Sequence, residues 1–131
     1  EHLEENFLFA EPCAGDGTLI NHLETKGVCT WASDIEPQLE GIYAYDYSQL
    51  TDEELIEAQY IITNPPWDRK ILHPIIDFFA PKIPTWLLFD ADWMHTKQSK
   101  PYMEICHIWA TQCDLCNKKF EKSYVEFYGR N

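Results

Sequence analysis

Asn64-Pro65-Pro66-Trp67 follows directly on the apolar run YIIT. Adjacent prolines donate no backbone hydrogen bond and fix φ, so a central strand cannot continue through them. A proline also drives the residue before it toward an extended conformation. Asn64 and Trp67 are therefore held at a set separation, an amide oxygen and an aromatic face able to meet one flat ligand. The plain alternative is a strand that stops. A second group, Glu11-Pro12-Cys13-Ala14-Gly15-Asp16-Gly17, carries complementary chemistry. Gly15 and Gly17 lack Cβ atoms, which lets a ligand approach the backbone. The dinucleotide fingerprint needs a third glycine where this chain has Ile20, which disfavours a conventional NAD site. A carboxylate at Glu11 repels a pyrophosphate and suits a ligand with an ammonium or sulfonium.

Two more acids stand apart from that turn. Asp34, seventeen residues after Gly17, is placed to accept hydrogen bonds from both hydroxyls of a ribose, with Ile35 flanking the base. Asp46, beside Tyr47, is placed to take the exocyclic amine of a bound adenine. Each acid taken alone also fits an ordinary turn.

The elements that must position these groups alternate along the chain. NFLFAEP reads as a buried strand and GTLINHLETKG as a helix with Leu19, Ile20 and Leu23 on one face and Gly27 as its stop. VCTWASD and GIYAYDY are a second and third strand. TDEELIEA opens with a capping box, Thr51 and Glu54, and YIITNPPW is the fourth strand. HPIIDFFAP is a short helix with Pro74 in its first turn, and PTWLLFDADW the fifth strand. EICHIWATQ and SYVEFYG read as a final antiparallel pair. Such alternation predicts a parallel α/β sheet, whose ligands bind at the carboxyl ends of the strands. Glu11, Asp34, Asp46 and Asn64 all fall at expected strand ends and share that edge. Trp31, Phe78, Phe79 and Trp86 are expected in the core.

Length and charge narrow the function classes. A chain of 131 residues is expected to form one domain, residues 1–131, with a single core. No apolar run approaches the roughly 20 residues of a membrane span, and no signal-peptide pattern opens the chain. Five cysteines at irregular spacing do not read as a disulfide framework, which points to a reducing cytoplasm. Cys113 and Cys116 have zinc-knuckle spacing near Cys106 and His107. A strand sends Cys106 and His107 to opposite faces, so hairpin-loop cysteines are favoured and no metal is assigned. The net charge of −12 argues against broad duplex binding. Residues 1–68 hold one base and fifteen acids, a net of −14; residues 69–131 hold nine bases and seven acids, a net of +2. The bases begin at Arg69 and Lys70, directly after NPPW, a hint of a polyanion on one side only.

These residues together resemble the class I S-adenosylmethionine-dependent methyltransferases, and within them the DNA amino-methyltransferases. Glu11 to Gly17 matches the family's (D/E)-P-x-x-G-x-G cofactor loop, Asp34 and Asp46 its second and third acids, and Asn64 to Trp67 its (D/N/S)-P-P-(Y/F/W) catalytic motif. EPCAGDG with NPPW and FDADW looks most like small phage-type adenine methyltransferases, which would act in a host cytoplasm. The resemblance implies a doubly wound, mostly parallel, seven-stranded Rossmann-like sheet with a C-terminal antiparallel hairpin. It implies S-adenosylmethionine at Glu11, Pro12, Cys13, Ala14, Gly15, Gly17, Asp34, Ile35, Asp46 and Tyr47. The implied catalytic residues are Asn64, Pro65, Pro66 and Trp67, with Trp67, Arg69 and Lys70 meeting the substrate.

In physical terms, an exocyclic amine conjugated with its ring is a poor nucleophile. If the Asn64 oxygen and the Pro65 carbonyl accept its two N–H bonds, the nitrogen turns tetrahedral and its lone pair points outward. Rigid prolines preorganise those acceptors. The implied reaction is methyl transfer to the adenine N6 of DNA, with the base flipped out onto Trp67. Cytosine N4, RNA and a protein glutamine are alternative acceptors of the same chemistry, and a non-catalytic subunit that keeps the fold is a second class of reading. Cys13 stands where the family often has Phe, and Asn64 where Asp is commoner. A separate target-recognition domain is not visible in the sequence. That leaves single-stranded or flexible DNA, loops 91–100 and 112–122, or a partner protein or second copy in a homodimer to supply recognition.

Overall fold

A computed structural model describes residues 3–66, 68–90, 97–103, 106–112 and 119–127, with the backbone alone for the last two stretches and for residues 69, 89, 90, 99 and 103. The chain divides into two compact units, Glu1–Asn64 and Pro65–Asn131.

The first unit is built on four parallel strands, β1 (Phe7–Glu11), β2 (Gly27–Asp34), β3 (Tyr43–Ala44) and β4 (Tyr60–Thr63), in the order β3-β2-β1-β4. Its central strand β1, Phe7–Glu11, is apolar except at its end and is buried at all but Leu8, as expected of a parallel strand covered on both faces. On one side it pairs with β2, Gly27–Asp34, with a register shift at Phe9/Ala10. On the other it pairs with β4, Tyr60–Thr63, setting Ala10 against Ile61. Phe9, Ala10 and Ile61 are fully buried. Each large side chain so buried contributes roughly 1.5–3 kcal/mol. Two short helices, α1 (Thr18–Leu23) and α2 (Asp52–Leu55), pack against β2. The Thr51 box that starts α2 forms as its sequence indicates: Thr51 Oγ1 accepts the Glu53 N–H, and Glu54 Oε2 accepts the Thr51 N–H at 2.6 Å.

Four local expectations change. Gly27 does not stop α1, which ends at Leu23; it opens β2, where a Cβ would come within 2.5 Å of the Phe7 ring. β3 shrinks to Tyr43–Ala44, because Gly41 at φ 94° turns the chain in and Asp46 turns it out by capping a 3-10 turn, Tyr47–Gln49. Trp31 is not a core residue. It is half-buried and stacks on Tyr43 at 4.6 Å, with Tyr45 edge-on at 5.4 Å. Pro74 lies inside its helix rather than in the first turn. The Asp68 carboxylate accepts the Lys70 N–H at 3.0 Å and so starts α3 (Arg69–Phe79) five residues before Pro74.

In the second unit, α3 buries Leu72, Ile75, Ile76 and Phe79 at three- and four-residue spacing. Strand β5, Thr85–Asp90, carries the buried Trp86 and Leu87, while Phe78 is half-buried. The backbone of β7, Lys119–Phe127, runs antiparallel to β5 and to β6, Cys106–Gln112. After a 3-10 turn at Lys97–Ser99, α4 (Lys100–Met103) sets Tyr102 against α3. The Tyr102 hydroxyl donates to Asp77 Oδ2 at 3.3 Å, and its ring lies 4.5 Å from that of His73.

Candidate functional site

At the carboxyl ends of the first unit's strands, turns and carboxylates replace apolar packing. β1 delivers Glu11 to its last position. The next residues fold back on it: the Cys13 N–H donates to Glu11 Oε1 at 2.8 Å, and the Ala14 N–H to the Ser33 carbonyl at 2.9 Å. Gly15 and Gly17 then adopt φ 55° and 82°, the left-handed region that favours glycine. A Cβ at Gly15 would have no other atom within 4 Å, so the backbone there faces open space. Asp16 supplies what Gly17 lacks as a cap for α1, since its Oδ1 accepts from both the N–H (3.0 Å) and the hydroxyl (2.6 Å) of Thr18.

Asp34, at the end of β2, joins the two acid-bearing turns. Its Oδ2 accepts the Gly15 N–H and its Oδ1 the Glu36 N–H, both at 2.8 Å. Each carboxylate oxygen keeps a second lone pair for a ligand hydroxyl. Ile35 beside it is 70% exposed, and Leu39 lies close enough that a Cβ at Gly17 would stand 3.0 Å from its Cδ2. Asp46 spends its Oδ1 on the cap, accepting the Ser48 N–H at 3.0 Å and hydroxyl at 3.1 Å, which is the ordinary-turn role its sequence context also allowed.

Electrostatics tie these residues into one place. Burial pushes the Glu11 carboxyl up from 4.5 to about 7. The Thr63 hydroxyl and the backbone N–H groups of Cys13 and Asn64 draw it partly back, and the Asp34 charge raises it further. The Cys13 thiol is pushed up to about 12, first by burial and then by the Glu11 charge, with Asp34 and Asp46 adding to it. It is therefore a neutral wall and no nucleophile. The Tyr47 phenol is raised by burial, Asp46 and Cys13. Glu11, Cys13, Asp34, Asp46 and Tyr47 thus share a neighbourhood, and Asn64 reaches it through its N–H.

Glu11 is 1% exposed, yet its Oε2 has no partner in hydrogen-bonding geometry; the same holds for Ser33 Oγ and Thr63 Oγ1. Thr63 is near enough to lower the Glu11 pKa without a bond of good geometry between them. Buried polar atoms are nearly always satisfied, and each exception calls for a reason. Here all three lie at or next to the carboxyl ends of β1, β2 and β4. Ser33 and Thr63 had drawn no functional expectation; their signal was a polar residue next to Asp34 or Asn64 at the end of an apolar run.

Asn64 is exposed, Pro65 buried and Pro66 exposed. Trp67 falls outside the described residues, as do Cys113 and Cys116. Arg69 begins α3, and Lys70 is exposed on it. Among the described residues, no group of three His, Cys, Asp or Glu side chains is placed to hold a metal ion. None of the described helices is long and apolar enough to cross a membrane.

This arrangement is that of a methyltransferase-like α/β fold with a parallel sheet. The chain is similar to S. pombe Dnmt2 methyltransferase, with a TM-score of 0.66 at 12% identity over 95% of this chain and 50% of that one. It is similar to E. cuniculi Mtq2 in a complex with Trm112 responsible for methylation of the eRF1 translation termination factor (0.61, 12%, 99% and 88%). It is also similar to an rRNA methylase from Streptococcus thermophilus (0.56, 12%, 98% and 91%). The chain spans about half the length of the Dnmt2 proteins it matches. No family model matches the sequence, and no curated protein does.

Proposed function

We propose that this chain is an S-adenosylmethionine-dependent methyltransferase acting on the exocyclic amine of a nucleic-acid base, most specifically adenine N6 of DNA. The single observation that carries the reading is the nearness of Asn64 to Glu11, which β4 and β1, adjacent parallel strands, bring to the same edge of the sheet. Glu11 is buried there, while Asn64 as a residue stays exposed. The NPPW strand end therefore starts where the glycine turn begins, as methyl transfer from a donor held at that turn requires. The fold likeness supports the reaction class; the DNA base rests on the NPPW motif and on the bases that begin at Arg69.

The residues present fit the donor. The unpartnered Glu11 oxygen suits its positive charge, the Gly15–Gly17 turn leaves room for it, and Asp34, Ile35, Asp46 and Tyr47 are the groups that would hold its nucleoside. Once bound, S-adenosylmethionine supplies an electrophilic methyl on sulfur. Asn64 Oδ1 and the Pro65 carbonyl accept the two N–H bonds of the target amine, freeing its lone pair, and the prolines keep those acceptors still. Holding the amine in line with a bound donor would raise the rate by turning an encounter of two molecules into a step within one complex. The proton lost from the amine passes to solvent, since an amide and a peptide carbonyl accept hydrogen bonds without acting as bases. Trp67 stacks on the base, and Arg69 and Lys70 meet the phosphates. A single domain over residues 1–131, a seven-stranded sheet and its C-terminal antiparallel hairpin belong to the same reading, as does a partner or second copy for target recognition.

One observation favours a second acceptor class, a protein: the likeness to Mtq2, of the complex responsible for the methylation of eRF1, extends over 88% of that chain. Incubation with tritiated S-adenosylmethionine and equal concentrations of single-stranded DNA, duplex DNA, RNA and protein separates the two. Label on DNA, recovered as N6-methyl-2′-deoxyadenosine after digestion, is the expected result. Label on protein alone would overturn the DNA reading, and label on nothing would favour a non-catalytic subunit.

A further inference from the structure

The acid at the end of β1 is deeper and lonelier than a structural role requires. Glu11 Oε1 is tied to the Cys13 N–H at 2.8 Å, and Oε2 is buried without a partner. The groups facing it come from the neighbouring elements of its own unit. β2 presents Asp34, the turn presents Cys13, the segment after β3 presents Asp46 and Tyr47 by way of Cys13, and β4 presents the Thr63 hydroxyl and the Asn64 N–H. None is a cation. The only Lys or Arg among residues 3–64 is Lys26, which precedes β2 and so lies at the other end of the sheet. A negative charge on Glu11 thus has no counter-charge within its unit, and a cationic ligand is the natural means of providing one.

We propose that Glu11 selects the methyl donor by charge, binding the sulfonium as a carboxylate and reverting to the neutral acid once only the thioether product remains. The inference rests on the reading of the glycine turn as the S-adenosylmethionine site and names how that site tells donor from product. The balance is simple. Donor binding to the protonated acid releases one proton. Transfer breaks the sulfur–methyl bond, leaves its electron pair on sulfur and forms the nitrogen–methyl bond, and the amine loses its own proton to solvent. Glu11, now facing a neutral sulfur, takes up a proton again, and the charge pairing at sulfur is lost. Because burial sets the carboxyl near 7, the exchange falls within the neutral range. Below that pH the donor must displace a proton and binds more weakly; above it the charge is already present.

Isothermal calorimetry on the full chain tests this with S-adenosylmethionine and S-adenosylhomocysteine, at about pH 6 and about pH 8, in two buffers of different ionisation enthalpy. Donor affinity is expected to rise about tenfold across that interval, and product affinity about twofold or less, as linkage to a carboxyl near 7 requires. Near neutrality the donor should release protons where the product does not. Glu11→Gln keeps the shape and should remove both the pH dependence and the difference. The wild-type proton count needs no variant, so a poorly folded substitution does not blunt the test. Equal pH dependence for the two ligands would overturn the proposal, as would a Gln variant that keeps it. Binding of neither ligand at any pH would remove the cofactor reading itself, and the proposal with it, a result distinct from equal dependence.

Discussion

The two ends of the first unit's sheet are built to different standards. At the amino ends the polar groups are closed off: the Asn6 N–H bonds the Lys26 carbonyl at 2.7 Å, and Leu8 and Gln59 exchange bonds of 2.9 and 2.8 Å. Phe7 lies so tightly on Gly27 that no side chain fits between. At the carboxyl ends a buried carboxylate oxygen and two buried hydroxyls are left over, and the backbone at Gly15 opens onto space. A fold gains nothing from three unsatisfied buried groups, each costing about 1–3 kcal/mol. The contrast separates an end made for stability from an end kept ready for a ligand.

The largest effect should come from Asn64→Ala. Transfer is expected to fall by about 10²-fold or more, the scale of losing one preorganised polar group at a reacting centre. Donor affinity, measured by calorimetry, should change little. A variant retaining most of its activity would take Asn64 out of the mechanism. Next comes a pair of glycines. Gly27→Ala drives a methyl into the Phe7 ring and should cost roughly 1–3 kcal/mol in urea unfolding with donor affinity untouched. Gly15→Ala should cost about 1 kcal/mol, because a side chain is strained at its φ, but weaken the donor several-fold. If the two glycines traded effects, the distinction between the ends would fail.

Asp34→Ala should weaken the donor by about tenfold, through the lost ribose contact and the freed Gly15 N–H. Unchanged affinity would mean that the ribose is held elsewhere. The smallest and most diagnostic change is Thr63→Val, which removes an unpartnered hydroxyl with little change of shape. Unliganded stability should stay level or rise by about 1 kcal/mol. A loss of more than that would show the hydroxyl to be satisfied in the fold, and the carboxyl end to be better built than it looks.

Much of this is legible in the order of residues alone. Strand-to-glycine-turn punctuation placed Glu11, Gly15 and Gly17, and the proline pair ended β4 ahead of Asn64, because missing Cβ atoms and missing N–H groups act locally. The misread elements all involve a neighbour distant in sequence or a competing cap. Gly27 looked like a helix stop because its need for smallness comes from Phe7. Pro74 looked like a helix start because the Asp68 cap five residues ahead of the apolar run is a weak signal. Trp31 looked like core because hydrophobicity does not say that β3, its neighbour, is a two-residue edge strand whose Tyr43 is 55% exposed.

The chain's own order of residues determined which chemistry was on offer: an amide before two prolines, a carboxylate before two glycines, and acids at the ends of apolar runs. Those are matters of covalent geometry and short-range pattern. Only the tertiary structure decided that Glu11 would be sealed from water with one oxygen unpaired and that β4 would end beside it at Asn64. It likewise made Cys13 a neutral wall. Burial and charge coupling are sums over neighbours brought in from four strands, and no single stretch of sequence contains them.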